Sequence, residues 1–179
     1  GAVLSLHGGA APKPGQAVMD QRNTAFEPGV LVIEAGTAVS FPNSDTVRHQ
    51  VYSFSPAKPF ELPLYSGTPP EPVVFPRPGV VVVGCNIHDW MIGWIVVLDT
   101  PHHARSDDEG LVRLQVPDGD YQLQAWHPRL AGEPPRQPVT VPAAELSLEL
   151  ELGPPPPERR GSDRLRALQD RLRSLRKDE

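Results

Sequence analysis

Cys85, His88 and Met91 stand three residues apart in one short polar stretch, and Cys85 is the only cysteine among 179 residues. A thiolate, an imidazole and a thioether in one loop form a soft, polarizable donor set. Such a set suits copper, because a second imidazole from elsewhere completes a trigonal site of two histidines and one cysteine, with methionine as weak axial ligand. His49 is the candidate for that imidazole. Other readings stay open at this point. A lone cysteine in a valine-rich strand also describes a buried, inert thiol, and Met91 beside Ile92 also describes plain core. A carboxylate, an amide or water could take the axial place, with Asp20 and Gln21 as polar candidates.

These residues need strands to hold them. Val80 to Val83 and Ile92 to Leu98 are rich in β-branched residues, so Cys85 to Met91 reads as the loop of a β-hairpin. His49 lies where a polar turn, Asn43-Ser44-Asp45, gives way to a second strand. The 23 prolines and 15 glycines, with few helical apolar stripes, predict many short strands and an all-β fold.

The combination of Asn43 ahead of His49 and Cys85-x-x-His88-x-x-Met91 between hydrophobic strands resembles the cupredoxins. The short loop is most similar to the amicyanin and pseudoazurin type. Residues 15–100 also resemble bacterial plastocyanin-like proteins described as methylamine utilization proteins. The resemblance implies a Greek-key β-sandwich with one type 1 copper per chain, cycling between Cu(I) and Cu(II). It implies His49 and His88 as imidazole ligands, Cys85 as thiolate and Met91 as axial ligand. Asn43 would hold the His49 loop near the Cys85 loop, and Asp89 and Trp90 are candidates for partner docking. The resemblance implies the bacterial periplasm as the compartment, with an export signal absent from this chain, because Gly1 to Leu4 is too short and uncharged to be a complete one.

Beyond Thr100 the pattern changes. Leu111 to Val116 and Tyr121 to Trp126 alternate around a Pro-Asp-Gly turn and resemble the carboxypeptidase regulatory-like, or transthyretin-like, β modules. Such modules open with a strand like Ala2 to His7. The expected organisation is therefore an amino-terminal strand and flexible segment (1–14), a copper-binding domain (15–100) and a small second β-sandwich (101–152). A Pro-rich linker (153–161) and an amphipathic helix (162–179) follow. The copper domain would be inserted in the module, with Ala2 to His7 pairing onto residues 111–152. Ser55 to Pro72 reads as a long crossing loop, and Glu145 to Leu152 as a strand with its four leucines on one face. His102, His103 and His127 read as surface residues. Leu165, Leu168, Leu172 and Leu175 give the helix one stripe, suited to docking on its own protein or to weak self-association.

The net charge is −5, and the last 22 residues carry an excess of three basic groups, so the body before them is near −8. An acidic body disfavours nucleic acid and is compatible with a basic redox partner. No apolar run is long enough to span a membrane. The expected function is single-electron transfer between partners such as a c-type cytochrome and a periplasmic dehydrogenase. The alternatives are copper delivery and a copper site with a different axial ligand. Two methionines are few for a Cu(I) carrier, and the absence of a second dense histidine cluster argues against an enzyme.

Overall fold

Val81 and Val83 are fully buried while Val82 between them is 43% exposed, the period-two signature of a strand with one face in a core. The computed structural model describes residues 1–69, 71–143 and 145–155, and all regular structure among them is β. Strands β1 (Val3–His7), β2 (Gln16–Val18), β3 (Asp20–Arg22), β4 (Ala25–Glu27) and β5 (Val30–Glu34) come first. Next are β6 (Thr37–Ser40), β7 (His49–Ser53), β8 (Phe60–Tyr65), β9 (Val73–Phe75) and β10 (Gly79–Gly84). The last are β11 (Ile92–Leu98), β12 (His103–Arg105), β13 (Gly119–Trp126) and β14 (Arg136–Val141). The expected helix lies outside the described residues, as does most of the 153–161 linker.

A five-stranded sheet in the order β5-β11-β10-β7-β8, a three-stranded sheet β2-β6-β9 and the hairpin β3-β4 surround the main core. Phe41, Phe75, Val39, Val51, Val81, Val83, Ile95 and Met19 fill it. Burying each such side chain is worth about 1.5–3 kcal/mol. β10 and β11 pair from Gly79↔Val97 to Gly84↔Ile92, so the last rung falls one residue before Cys85 and one after Met91. The register therefore delivers the 85–91 loop to one end of the sheet. β7 runs antiparallel to β10 with Tyr52 opposite Gly84, which carries His49 past the last rung to the side of that loop. Gly84 is required there, since a Cβ would meet the Tyr52 ring at 3.0 Å.

A four-stranded sheet, β12-β1-β13-β14, joins strands distant in sequence. β1 pairs with β12 on one side and with β13 on the other, from Val3↔Trp126 to His7↔Gln122. Val3 and Trp126 pack with Val96, Leu98, Val30 and Val32, which fastens this sheet to the five-stranded one.

Three expected elements differ. The loop expected at 55–72 contains β8, interrupted in sequence by Pro63; β8 is an edge strand, where a missing N–H breaks no ladder. Leu111 to Val116 and Glu145 to Leu152 form no regular strand, apart from a single Leu130↔Leu152 bridge. One sheet thus stands where a second sandwich was expected among the described residues. The alternation in those segments has another cause: Leu114, Val116 and Leu148 lie against Leu6, Tyr121, Leu123 and Val139 without joining a ladder.

Candidate metal centre

His49, Cys85 and His88 converge at the end of β7 and β10, each offering one donor atom, all within 4.8 Å of one another. His49 Nδ1 lies 3.1 Å from His88 Nδ1, and Cys85 Sγ lies 3.8 Å from each of these nitrogens. His49 and Cys85 are buried, His88 is partly exposed, and the thiol is free. Two imidazole nitrogens facing each other at this distance share one proton between them, or one cation.

The three distances test whether a metal fits. With bonds of about 2.0–2.1 Å to nitrogen and about 2.3 Å to sulfur, the donor spacing demands angles of about 100° between nitrogens and about 120–130° between sulfur and each nitrogen. His49, Cys85 and His88 would therefore hold one ion between them as a trigonal donor set. Structural zinc takes four ligands in a tetrahedron, whereas a trigonal His₂Cys plane is the copper arrangement. The donor set fits copper.

The loop is wound by short backbone bonds. Met91 N–H donates to the His88 carbonyl at 2.9 Å and Ile92 N–H to the Trp90 carbonyl at 3.1 Å. Met91 is buried in the same apolar cluster as Cys85. Asp89 is exposed, and Trp90 is 48% exposed with its ring 5.2 Å from that of His88. Ile87 and Ile92, in the same stretch, are also about half exposed. Met19 is wholly buried core. Gln21 is wholly buried too, its amide N–H₂ directed at Phe41, Pro42 and Tyr65 and its Oε1 without a hydrogen-bond partner among the described residues. Asp20 bonds to Arg22 and Ser44 on the surface side.

Asn43 works on the His49 side of the centre. Its Nδ2 donates to the carbonyls of Val47 and Tyr65 at 2.9 and 3.0 Å, and its Oδ1 accepts the Asp45 N–H at 3.0 Å. These bonds wind the turn before His49 and tie it to β8. No hydrogen bond from the Asn43 side chain to the 85–91 loop is found among the described residues, so the expected bridge between the two loops is replaced by this brace.

Asp45 is the residue that sequence reasoning passed over. His49 Nε2–H donates to Asp45 Oδ2 at 2.7 Å, which fixes the tautomer and leaves the Nδ1 lone pair facing Cys85 and His88. The same carboxylate accepts the N–H groups of Asn23 and Thr24, at 2.6 and 2.9 Å. Both residues have φ of 53°, the left-handed pair of a tight hairpin turn, here built without glycine. Burial works against the Asp45 charge, but the bonds from Thr24, His49 and Asn23 outweigh it and hold its pKa below the usual 3.8. The signal for it was a carboxylate four residues ahead of His49; its turn partners come from twenty residues earlier. Burial, and then the neighbouring His49, lower the pKa of His88 against an opposite pull from Asp45, which favours the neutral imidazole a metal needs.

No protein-family model and no curated protein matches the chain. Among solved structures it is similar to a copper-containing nitrite reductase from Thermus scotoductus SA-01, 28% identical over 54% of this chain with a TM-score of 0.44. That likeness spans 25% of the reductase chain. A purple cupredoxin from Nitrosopumilus maritimus is 26% identical over 47% of this chain and 99% of its own, with a TM-score of 0.40. An oxidized amicyanin mutant is 20% identical over 46% of this chain and 81% of its own, at 0.42.

Proposed function

We propose that the chain is a single-copper electron carrier, with His49 Nδ1, His88 Nδ1 and Cys85 Sγ as equatorial donors and Met91 as weak axial ligand. The observation that carries this reading is the donor triangle of 3.1, 3.8 and 3.8 Å. Copper, when bound, supplies a one-electron couple. The residues around it do the rest. Cys85 and His49, buried at strand ends, keep donor positions fixed in both oxidation states, and rigid donors keep reorganisation small. Asp45 orients the His49 ring. His88 reaches the surface, and Ile87, Trp90 and Ile92 around it form an apolar landing area for a redox partner such as a c-type cytochrome or a periplasmic dehydrogenase. Residues 15–100 form the copper unit, with 1–14 and 101–152 as its companion sheet, and the periplasm is the compartment this reading assigns.

Visible absorption of the copper-loaded chain tests it. An intense thiolate-to-Cu(II) band is expected, abolished in Cys85→Ala, while Met91→Leu shifts the potential more than it removes copper. Tight Cu(I) binding with no coloured Cu(II) form would overturn electron transfer in favour of copper delivery.

A further inference from the structure

At the opposite end of β10 and β11 from Cys85, the four-stranded sheet stands off the five-stranded sheet across a cleft of about 410 Å³. That volume lies in the range of small-molecule sites. Val80, Val96, Leu98 and Trp126 give the cleft apolar surface. β1 contributes Ser5 and His7, two residues apart and so on one face of the strand.

Ser5 Oγ lies 2.8 Å from His7 Nε2, and His7 Nδ1 lies 2.5 Å from Asp99 Oδ1, just past the end of β11. A carboxylate can only accept, so Asp99 holds the proton on Nδ1. Nε2 then offers its lone pair to Ser5, whose hydroxyl donates. Hydroxyl, imidazole base and orienting carboxylate are in hydrogen-bond reach in the order that acyl transfer uses. The strand register adds a polar neighbour. Gln124 is directly opposite Ser5, and Arg136 is directly opposite Gln124. Side chains so paired start about 4.5–5.5 Å apart at Cβ, within which an amide N–H can reach the space over Ser5 Oγ. Neither Gln124 nor Arg136 has a side-chain hydrogen bond or ion pair among the described residues, although both border the cleft. A hydrogen-bond chain that only fastened β1 to β11 needs neither open volume beside it nor uncommitted donors across from it.

The geometry points to a second, hydrolytic site in this cleft, acting on esters of small apolar carboxylic acids. Ser5 Oγ bonds to the ester carbon as its proton passes to His7 Nε2, and the carbonyl electrons move onto oxygen, where Gln124 donates a hydrogen bond. The carbon–alkoxide bond then breaks, and the leaving alcohol takes the proton from His7. Water adds to the acyl-serine, giving a proton to His7; Ser5 Oγ leaves with that proton, and the free acid departs. The acyl chain lies against Trp126 and Leu98. The site is independent of copper, being separated from Cys85 by the length of β10, roughly 17–20 Å at about 3.3 Å per residue.

The full chain, with and without copper, is assayed with 4-nitrophenyl butyrate and then labelled with a fluorophosphonate. Equal hydrolysis in both forms is expected, with the phosphonate on Ser5 by peptide mass. Ser5→Ala is expected to lose the activity, and Asp99→Asn to lower kcat by about 10²–10⁴-fold. Both variants should keep the visible copper band. Wild-type chain that neither hydrolyses the ester above buffer nor takes the label overturns the proposal, as does Ser5→Ala that is as fast as wild type. The labelling needs no variant, so it decides the matter even where a substitution unfolds the chain.

Discussion

His49 faces two ways: its Nδ1 looks toward the sulfur of Cys85, and its Nε2 is committed to Asp45. A carboxylate behind a ligating imidazole makes it a stronger donor and stops the ring turning, and losing such a partner typically lowers metal affinity by about 10–100-fold. Asp45→Asn is therefore expected to weaken copper binding by that order, measured by competition with a chromogenic chelator, and to raise the reduction potential, measured by voltammetry. The copper-free protein gives a second readout. Asp45 is held below its usual pKa, so the stability from its three bonds is complete above about pH 4 and is lost as pH falls through the lower folded value. Melting temperature should fall on acidification in the wild type more steeply than in Asp45→Asn. At this scale the sequence was informative about Cys85 and His88, because thiolate and imidazole are scarce in the chain and these two stand three residues apart, whereas His49, 36 residues before Cys85, was reached only as a histidine at the start of a strand. For Asp45 it held only the place four residues ahead of His49, because what singles that residue out from Ser44 beside it is a hairpin turn at Asn23 and Thr24.

Between elements, the rung Gly84↔Ile92 sets where the ligand loop begins, and Gly84 sets how near β7 comes to it. A methyl group at Gly84 would press on the Tyr52 ring at 3.0 Å, so that ring and β7 beneath it must shift. Gly84→Ala is expected to cost about 1–3 kcal/mol, the usual range for overpacking, and to broaden or move the copper band because β7 carries His49. Chemical denaturation and absorption together check this; an unchanged band in a destabilised variant would separate β7 from the centre's geometry. β10, β11 and β13 were legible from their alternating or continuous apolar runs. β8 was hidden by Pro63, which an edge strand tolerates. Residues 111–116 and 145–152 misled for a different reason, since alternation reports which face is buried and does not say whether a neighbouring strand is within hydrogen-bonding reach.

For the whole molecule, the contact between the two large sheets rests on Val3 and Trp126 covering Val96 and Leu98. If residues 15–100 form a copper unit of their own, that fragment should keep the visible band while losing the cover over Val96 and Leu98. Its stability should fall by a few kcal/mol, at about 1.5–3 kcal/mol for each large apolar side chain returned to water, read as a lower melting temperature. A fragment that binds no copper would tie the centre to the companion sheet. The resemblance that suggested the copper unit came from its ligand loop; the partner of Ala2 to His7 was only inferable by analogy, because nothing local in those residues points across more than a hundred others.

β1 lies in the middle of its sheet, with Val3 opposite Trp126. A nascent chain growing at about 5–20 residues per second does not reach Trp126 until roughly 6–25 s after Val3 has been joined. Throughout that interval Val3 and Leu6 lack β13, and β12, their other neighbour strand, is joined only toward its end. β1 thus waits far longer for its partners than β10 waits for β11, and it is a stretch for which shielding during synthesis matters.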